Sequence, residues 1–268
     1  KQVLTVQNGK GENGLLGNIK GDWVAGPKTL TEEELKENRK EFPKQILENK
    51  LATDDFWTSR MPDFSQIEVP LLSSANWGGQ DLHARGNFDG YVRSASKDKW
   101  LEVHGIEHWT EFYTDYGMKI QKQFFDYYLK GIENGWQDRP KVNLLTRYPN
   151  EVFKENYYSS WPLENTNWQK VYLNASDQTL NQHISLNMSH LSYRGFSDGI
   201  TFLAPPNQVE TEITGPIGLK LFISSDTEDA DIFAVLRVFD EELKEVTFQG
   251  AIDPHTPISQ GWLRASHR

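Results

Sequence analysis

Apolar positions follow three successive spacings along this chain, and each predicts a different kind of element. From residue 1 to about 55 they are sparse. The clearest local signal there is Thr31-Glu32-Glu33-Glu34, which has capping-box spacing, with Leu30 and Leu35 at the two positions of a hydrophobic staple. A helix is predicted over 32–41, stopping before Pro43, because proline disfavours helix at the residue before it. A second short helix is predicted over 44–50. So few apolar residues do not make an independent core, and the segment reads as a helical lid or insert that packs on something else.

Between 66 and 132 the pattern alternates in the α/β manner. Residues 67–72 read as a short buried strand bounded by Ser73-Ser74, and 82–96 as a helix. Lys99–His104 is a second strand, ending at Gly105. Residues 114–130 are strongly helical. Ile120, Phe124, Phe125, Tyr128 and Leu129 form a core-facing stripe, and Gly131 stands where a C-cap glycine belongs. After Gly135 the apolar runs shorten to β-type segments at 140–148, 168–173, 199–203, 219–224, 232–239 and 245–249, separated by turn-rich stretches. That spacing predicts an all-β sandwich or jelly roll, with the boundary at 131–140.

Loops at the carboxyl ends of parallel strands are where such sheets build chemistry. One such loop carries Asp81 and His83, the next Glu107 and His108. A carboxylate and a histidine from adjacent strand ends are two thirds of a nucleophilic triad. The remaining third, a serine on a G-x-S-x-G turn, occurs nowhere in these 268 residues. His108 is the candidate general base and Asp81 the candidate orienting acid, with a carboxylate from elsewhere, or none, as alternatives. Trp77 and Trp109 flank the site and could form an apolar acyl pocket; His83 could line it or orient the acid. His104-Gly105-Ile106-Glu107-His108 also matches the inverted zincin pattern H-x-x-E-H, but that chemistry needs both histidines on one helix face. A strand pattern running into Gly105 argues against zinc, and His104 reads as structural. Asp226, Glu228, Asp229 and Asp231 read as a solvated acidic turn rather than a calcium site. No metal or cofactor is expected.

Composition narrows the remaining choices. Hydrophobic residues make up 37%, with nine Trp, ten Tyr and fourteen Phe, enough for a substantial core. A net charge of −10 leaves no basic surplus for nucleic acid or an anionic membrane. With no Cys, disulfides and thiolate metal sites are excluded; this fits a cytoplasmic protein and is compatible with a secreted one. No apolar run approaches the roughly 20 residues a membrane-spanning helix needs.

Four stretches resemble the cocaine esterase/X-Pro dipeptidyl-peptidase (CocE/NonD) family of α/β-hydrolases. Val69-Pro70-Leu71-Leu72 with Asn76-Trp77-Gly78-Gly79 is similar to the strand and loop that hold the family's acid. Residues 99–108 are similar to those that deliver its histidine. Phe124-Phe125-Asp126-Tyr127-Tyr128-Leu129-Lys130-Gly131 resembles the helix end leading into the family's jelly roll, and residues 211–216, 229–231 and 261–268 resemble that jelly roll's own signatures. The resemblance covers about 66–268, in the family's order.

The resemblance implies a helical cap remnant at 1–65, the C-terminal part of an α/β-hydrolase domain at 66–135 and a jelly-roll β-sandwich, truncated at its end, at 136–268. The fold class is thus α/β plus all-β. It implies the C-terminal portion of a serine hydrolase (esterase, amidase or dipeptidyl-peptidase) whose nucleophile lies before Lys1, so the fragment alone should be inactive. Its substrates would be small esters, amides or short peptides with compact acyl groups. In the family the acid follows an aromatic and one spacer; ungapped counting from Trp77 reaches Gly79, and a two-residue shift reaches Asp81. A truncated sandwich would expose unpaired strands, so the chain is expected to associate with its missing segments or with itself. The competing expectation is a non-enzymatic β-sandwich module that binds carbohydrate or protein.

Overall fold

The structure is a computed structural model that describes residues 30–39, 41–80, 83–251 and 253–267. The chain divides into two compact units, Lys1–Met61 with Ala265–Arg268, and Pro62–Arg264. In the first, α1 (Glu32–Glu37), α2 (Phe42–Glu48) and the single turn α3 (Asp55–Thr58) are described. The capping box forms as read. Thr31 Oγ1 accepts from Glu34 N–H (3.2 Å), and Glu34 Oε2 accepts from Thr31 N–H (2.8 Å). The helix ends four residues earlier than expected, because Asn38 closes it by donating from Nδ2 and N–H to the Glu34 carbonyl. Pro43 starts the second helix instead of merely stopping the first; in the opening turn its missing N–H costs nothing. Trp57 joins the pieces, its ring edge-on to Phe42 and Phe56 and its Nε1–H donating to Asn49 O at 2.7 Å.

The second unit is built on a four-stranded mixed sheet in the order β1 (Leu71–Asn76), β2 (Lys99–His104), β3 (Val142–Tyr148), β4 (Val152–Tyr158). The first three strands are parallel and β4 is antiparallel to β3. The sheet therefore crosses the boundary read at 131–140. Helix α4 (Ala84–Arg93) connects β1 to β2, and α5 (Asp115–Lys130) connects β2 towards β3. Alternation along β2 sorts its side chains. Leu101 and Val103 join Ala75, Tyr91, Val142 and Leu144 on the α4 side, while Trp100 packs with Ile120, Phe124 and Trp136 on the α5 side. Burying the three aromatic rings of that second cluster supplies much of its cohesion, since each removes a large apolar area from water.

β1 lies four residues later than the pattern suggests. Pro70 has no N–H for a ladder, so pairing begins with Leu71 N–H donating to Asp98 O (2.9 Å). Ser73 and Ser74, read as the strand's boundary, lie inside it because both hydroxyls find partners: Ser73 donates to Asn87 O and Ser74 to the Glu102 carboxylate. Helix α5 matches its predicted bounds closely, from the Thr114 cap to Gly131 at φ 66°. Its stripe is narrower than read. Ile120 and Phe124 are buried, but Phe125 is half exposed and Leu129 is 75% exposed.

Beyond β4 the described pairings are β5 (Tyr172–Asn174) with β6 (Thr179–Asn181), β7 (Asp231–Leu236) with β8 (Ser259–Arg264), and isolated bridges at Leu203, Phe239 and Phe248. They touch four of the predicted β segments, 168–173, 199–203, 232–239 and 245–249, and β3 fills 140–148; β6 and β8 lie outside all six. Residues 219–224 pair with nothing among the described residues, and Phe222 is 94% exposed. In the acidic turn Asp226, Glu228 and Asp231 are exposed, and Arg264 donates to Asp231 through two bonds of 2.7 Å. No helix among the described residues is long and apolar enough to cross a membrane.

At Gly105, where β2 ends, an added Cβ would lie 2.2 Å from the Phe153 ring. Gly105→Ala is expected to destabilise the unit by about 1–3 kcal/mol through overpacking. Urea unfolding should show that loss largely recovered in the Gly105→Ala, Phe153→Leu double variant, where the ring is gone.

Candidate active site

β1 and β2 run in step, with Asn76 opposite His104, so the loops after them open at one level of the same sheet edge. After β1 comes a single 3-10 turn, Trp77–Gly79, then Gln80. Asp81 lies outside the described residues. After β2 the chain turns through Gly105 and Ile106 to reach His108. Ile106 has φ 55°, a left-handed conformation that a β-branched residue adopts only when its surroundings impose it. The constraint is visible: the Ile106 carbonyl accepts from Gly78 N–H (3.0 Å) and from Asn76 Nδ2 (3.2 Å). The two loops are thus tied together at the corner that presents the histidine.

His108 is partly buried and lies edge-on to two rings, His83 at 4.9 Å and Trp109 at 4.7 Å between centroids. Its Nδ1 is buried and has no hydrogen-bond partner among the described residues. Glu107 turns away to bond Thr110. The structure therefore gathers three of the expected site residues, His108, His83 and Trp109, the last 48% exposed. Trp77 lies elsewhere in the packing. Its Nε1–H donates to Leu145 O (2.6 Å), and its ring rests on Phe88, which meets Trp161. Asn87 ties α4 to β1 by donating to Ser74 O.

His104 has a different environment. It is buried in β2, its Nδ1 3.1 Å from Glu102 Oε2, and Glu102 also accepts from the Ser74 hydroxyl. Asn143 of β3, opposite Glu102, donates to the Tyr116 hydroxyl and to Glu155. Burial, reinforced by the Glu102 charge, pushes the Tyr116 hydroxyl far above the usual tyrosine range. Because His104 is in a strand and His108 in a turn, the helical spacing required by H-x-x-E-H is not formed. Among the described residues no group of three or more His, Asp or Glu side chains is arranged to hold a metal ion. Strand alternation puts Glu102 on the same face as Trp100 and His104, between them. A carboxylate two residues before a histidine on a buried strand was the available signal.

Residues 134–268 match the model of the X-Pro dipeptidyl-peptidase C-terminal non-catalytic domain. No curated protein matches the chain. Two crystal structures of a CocE/NonD family hydrolase from Staphylococcus aureus are similar to it. One is 31% identical with a TM-score of 0.72, over 85% of this chain and 42% of that one. The other is 30% identical with a TM-score of 0.73, over 88% and 43%. The chain thus spans less than half the length of these relatives. With the domain match over residues 134–268 and hydrolase structures aligned along most of its length, the chain belongs to the CocE/NonD, X-Pro dipeptidyl-peptidase family, of which it is a C-terminal part.

Proposed function

We propose that this chain supplies the base half of a serine hydrolase active site. One observation carries the reading: at the carboxyl edge of β2, beside the loop after β1, a histidine holds a buried Nδ1 that has no hydrogen-bond partner among the described residues. In a triad that nitrogen, as Nδ1–H, donates to the orienting carboxylate, leaving Nε2 for the nucleophile. Asp81, in the adjoining loop, is the carboxylate proposed. A serine from a segment outside these 268 residues attacks an ester or amide carbonyl as His108 Nε2 takes its proton. His108 then returns that proton to the leaving group, forming an acyl-enzyme, and activates water to release the acid. Trp109 and His83 border the acyl group, with Trp77 supporting the loop from beneath. Substrates are small esters, amides or short peptides, and the chemistry needs no metal or cofactor.

In the intact enzyme the β-rich domain after β4 is a jelly roll, and exposed Leu186, Met188, Phe196 and Phe222 support its association with further segments or a second copy. A cytoplasmic setting fits the absence of cysteine. The test is fluorophosphonate labelling with chromogenic-ester turnover. The 268-residue chain alone is expected to be inert, and the intact enzyme to label on a serine outside it. Turnover by the isolated chain, or an unlabelled intact protein that binds glycans, would reject the reading.

A further inference from the structure

Residues 248–258 are distant in sequence from the parallel strands but stitched to the loop after β1. Phe248 and Thr256 exchange backbone hydrogen bonds (2.9 and 3.0 Å), and Gly250 N–H donates to Asp253 O (2.8 Å), closing the segment into a turn. From it Ala251 N–H donates to the Gly78 carbonyl at 2.9 Å, while Gly78 N–H donates to Ile106 O at 3.0 Å. A single residue therefore couples this turn to the loop that carries His108. Only glycine fits, since a Cβ would lie 2.1 Å from Ile106 O and 2.9 Å from Gln249 O.

Three side chains hold the turn; one is Glu151, whose Oε1 accepts from Gln249 N–H at 2.5 Å. Gln80 Nε2 donates to Pro257 O (3.0 Å), and Arg147 Nη2 donates to Ile258 O (3.2 Å). The Arg147 guanidinium lies 4.2 Å from the Phe248 ring centre and 5.8 Å from that of Trp77. Burial pulls its pKa down to about 10, against the opposing charge of Glu151. Desolvating a cation to hold a neutral carbonyl costs more than packing an apolar side chain there. What a guanidinium adds is geometry: a rigid fork between two rings fixes one register of turn against loop.

We propose that the 248–258 turn is a positioning element of the active site, with Gln80 and Arg147 as positioning residues that set the spacing between the loop after β1 and the His108 loop. Neither residue touches substrate; both act through the Gly78 coupling. The inference rests on His108 being the base, and displacing a reacting group by about 1 Å can cost about 100-fold in rate.

The experiment uses the intact enzyme with a chromogenic ester. Gln80→Met keeps length but removes both donors, Arg147→Met removes the cation, and Arg147→Lys restores a charged donor. The expected result for the two Met variants is a kcat loss of about 10- to 100-fold, KM within about twofold, and a melting temperature within a few degrees of the parent. Hydrogen exchange at the Gly78 and Ala251 amides should quicken, and Arg147→Lys should recover most of kcat. If Arg147→Met does not fold, Gln80→Met decides. Full kcat in Gln80→Met, or a kcat loss that only tracks lost folded protein, overturns the proposal. A His108→Ala control separates the two readings: its retained activity would sink the functional assignment and this inference together. An inactive control beside fully active Met variants would sink the inference alone.

Discussion

His108→Ala should lower kcat/KM of the intact enzyme by about 10⁴-fold or more while leaving the protein folded. The size follows from the role. Without the imidazole, the serine has no acceptor for its proton and the leaving group no donor, so acylation and deacylation both fail. The small structural cost follows from the contacts. The ring meets His83 and Trp109 edge-on, Trp109 is itself half exposed, and the ring's buried Nδ1 makes no hydrogen bond among the described residues. Truncation removes a few van der Waals contacts, and a stability change of about 1 kcal/mol or less is expected. Ester turnover paired with a melting curve checks both halves. Near-wild-type turnover in a folded variant would dismiss His108 as the base.

Glu102→Ala is expected to do the reverse, removing about 3–5 kcal/mol of stability. Glu102 is buried beside His104, accepts from the Ser74 hydroxyl and faces Asn143 across the sheet. Truncating it leaves both nitrogens of a buried imidazole without partners among the described residues, since His104 Nε2 already has none there, and takes the acceptor from the Ser74 hydroxyl. Glu102→Gln keeps shape and one acceptor, and should cost about 1–2 kcal/mol. Urea midpoints for the two variants give the comparison. Equal losses would mean that volume, not hydrogen bonding, dominates at this position.

How much of this was legible depended on whether the deciding contact was local. β2 and α5 were read with nearly correct bounds because alternation, the Thr114 cap and Gly131 act within a few residues. β1 was displaced because serines read as punctuation, yet their partners Asn87 and Glu102 lie 14 and 28 positions away. The 219–224 run shows the converse: alternating apolar residues give a strand potential that only a neighbour can realise. At the site, parallel-strand logic anticipated that loops carrying His83 and His108 would meet, and their rings do. The turn at 248–258 was invisible, since Gln80 reaches Pro257 across 177 positions with no pattern linking them. The orienting acid is open on different grounds, with Asp81 outside the described residues.

The left-handed corner at Ile106 also bears on the order of assembly. A disordered chain seldom visits that conformation at isoleucine, so the corner must await the neighbours whose donors hold its carbonyl. The loop bearing the imidazole would then be among the last pieces to set. A nascent or half-folded molecule would thus lack a competent proton acceptor, and reactivity would be withheld until the scaffold around it is complete.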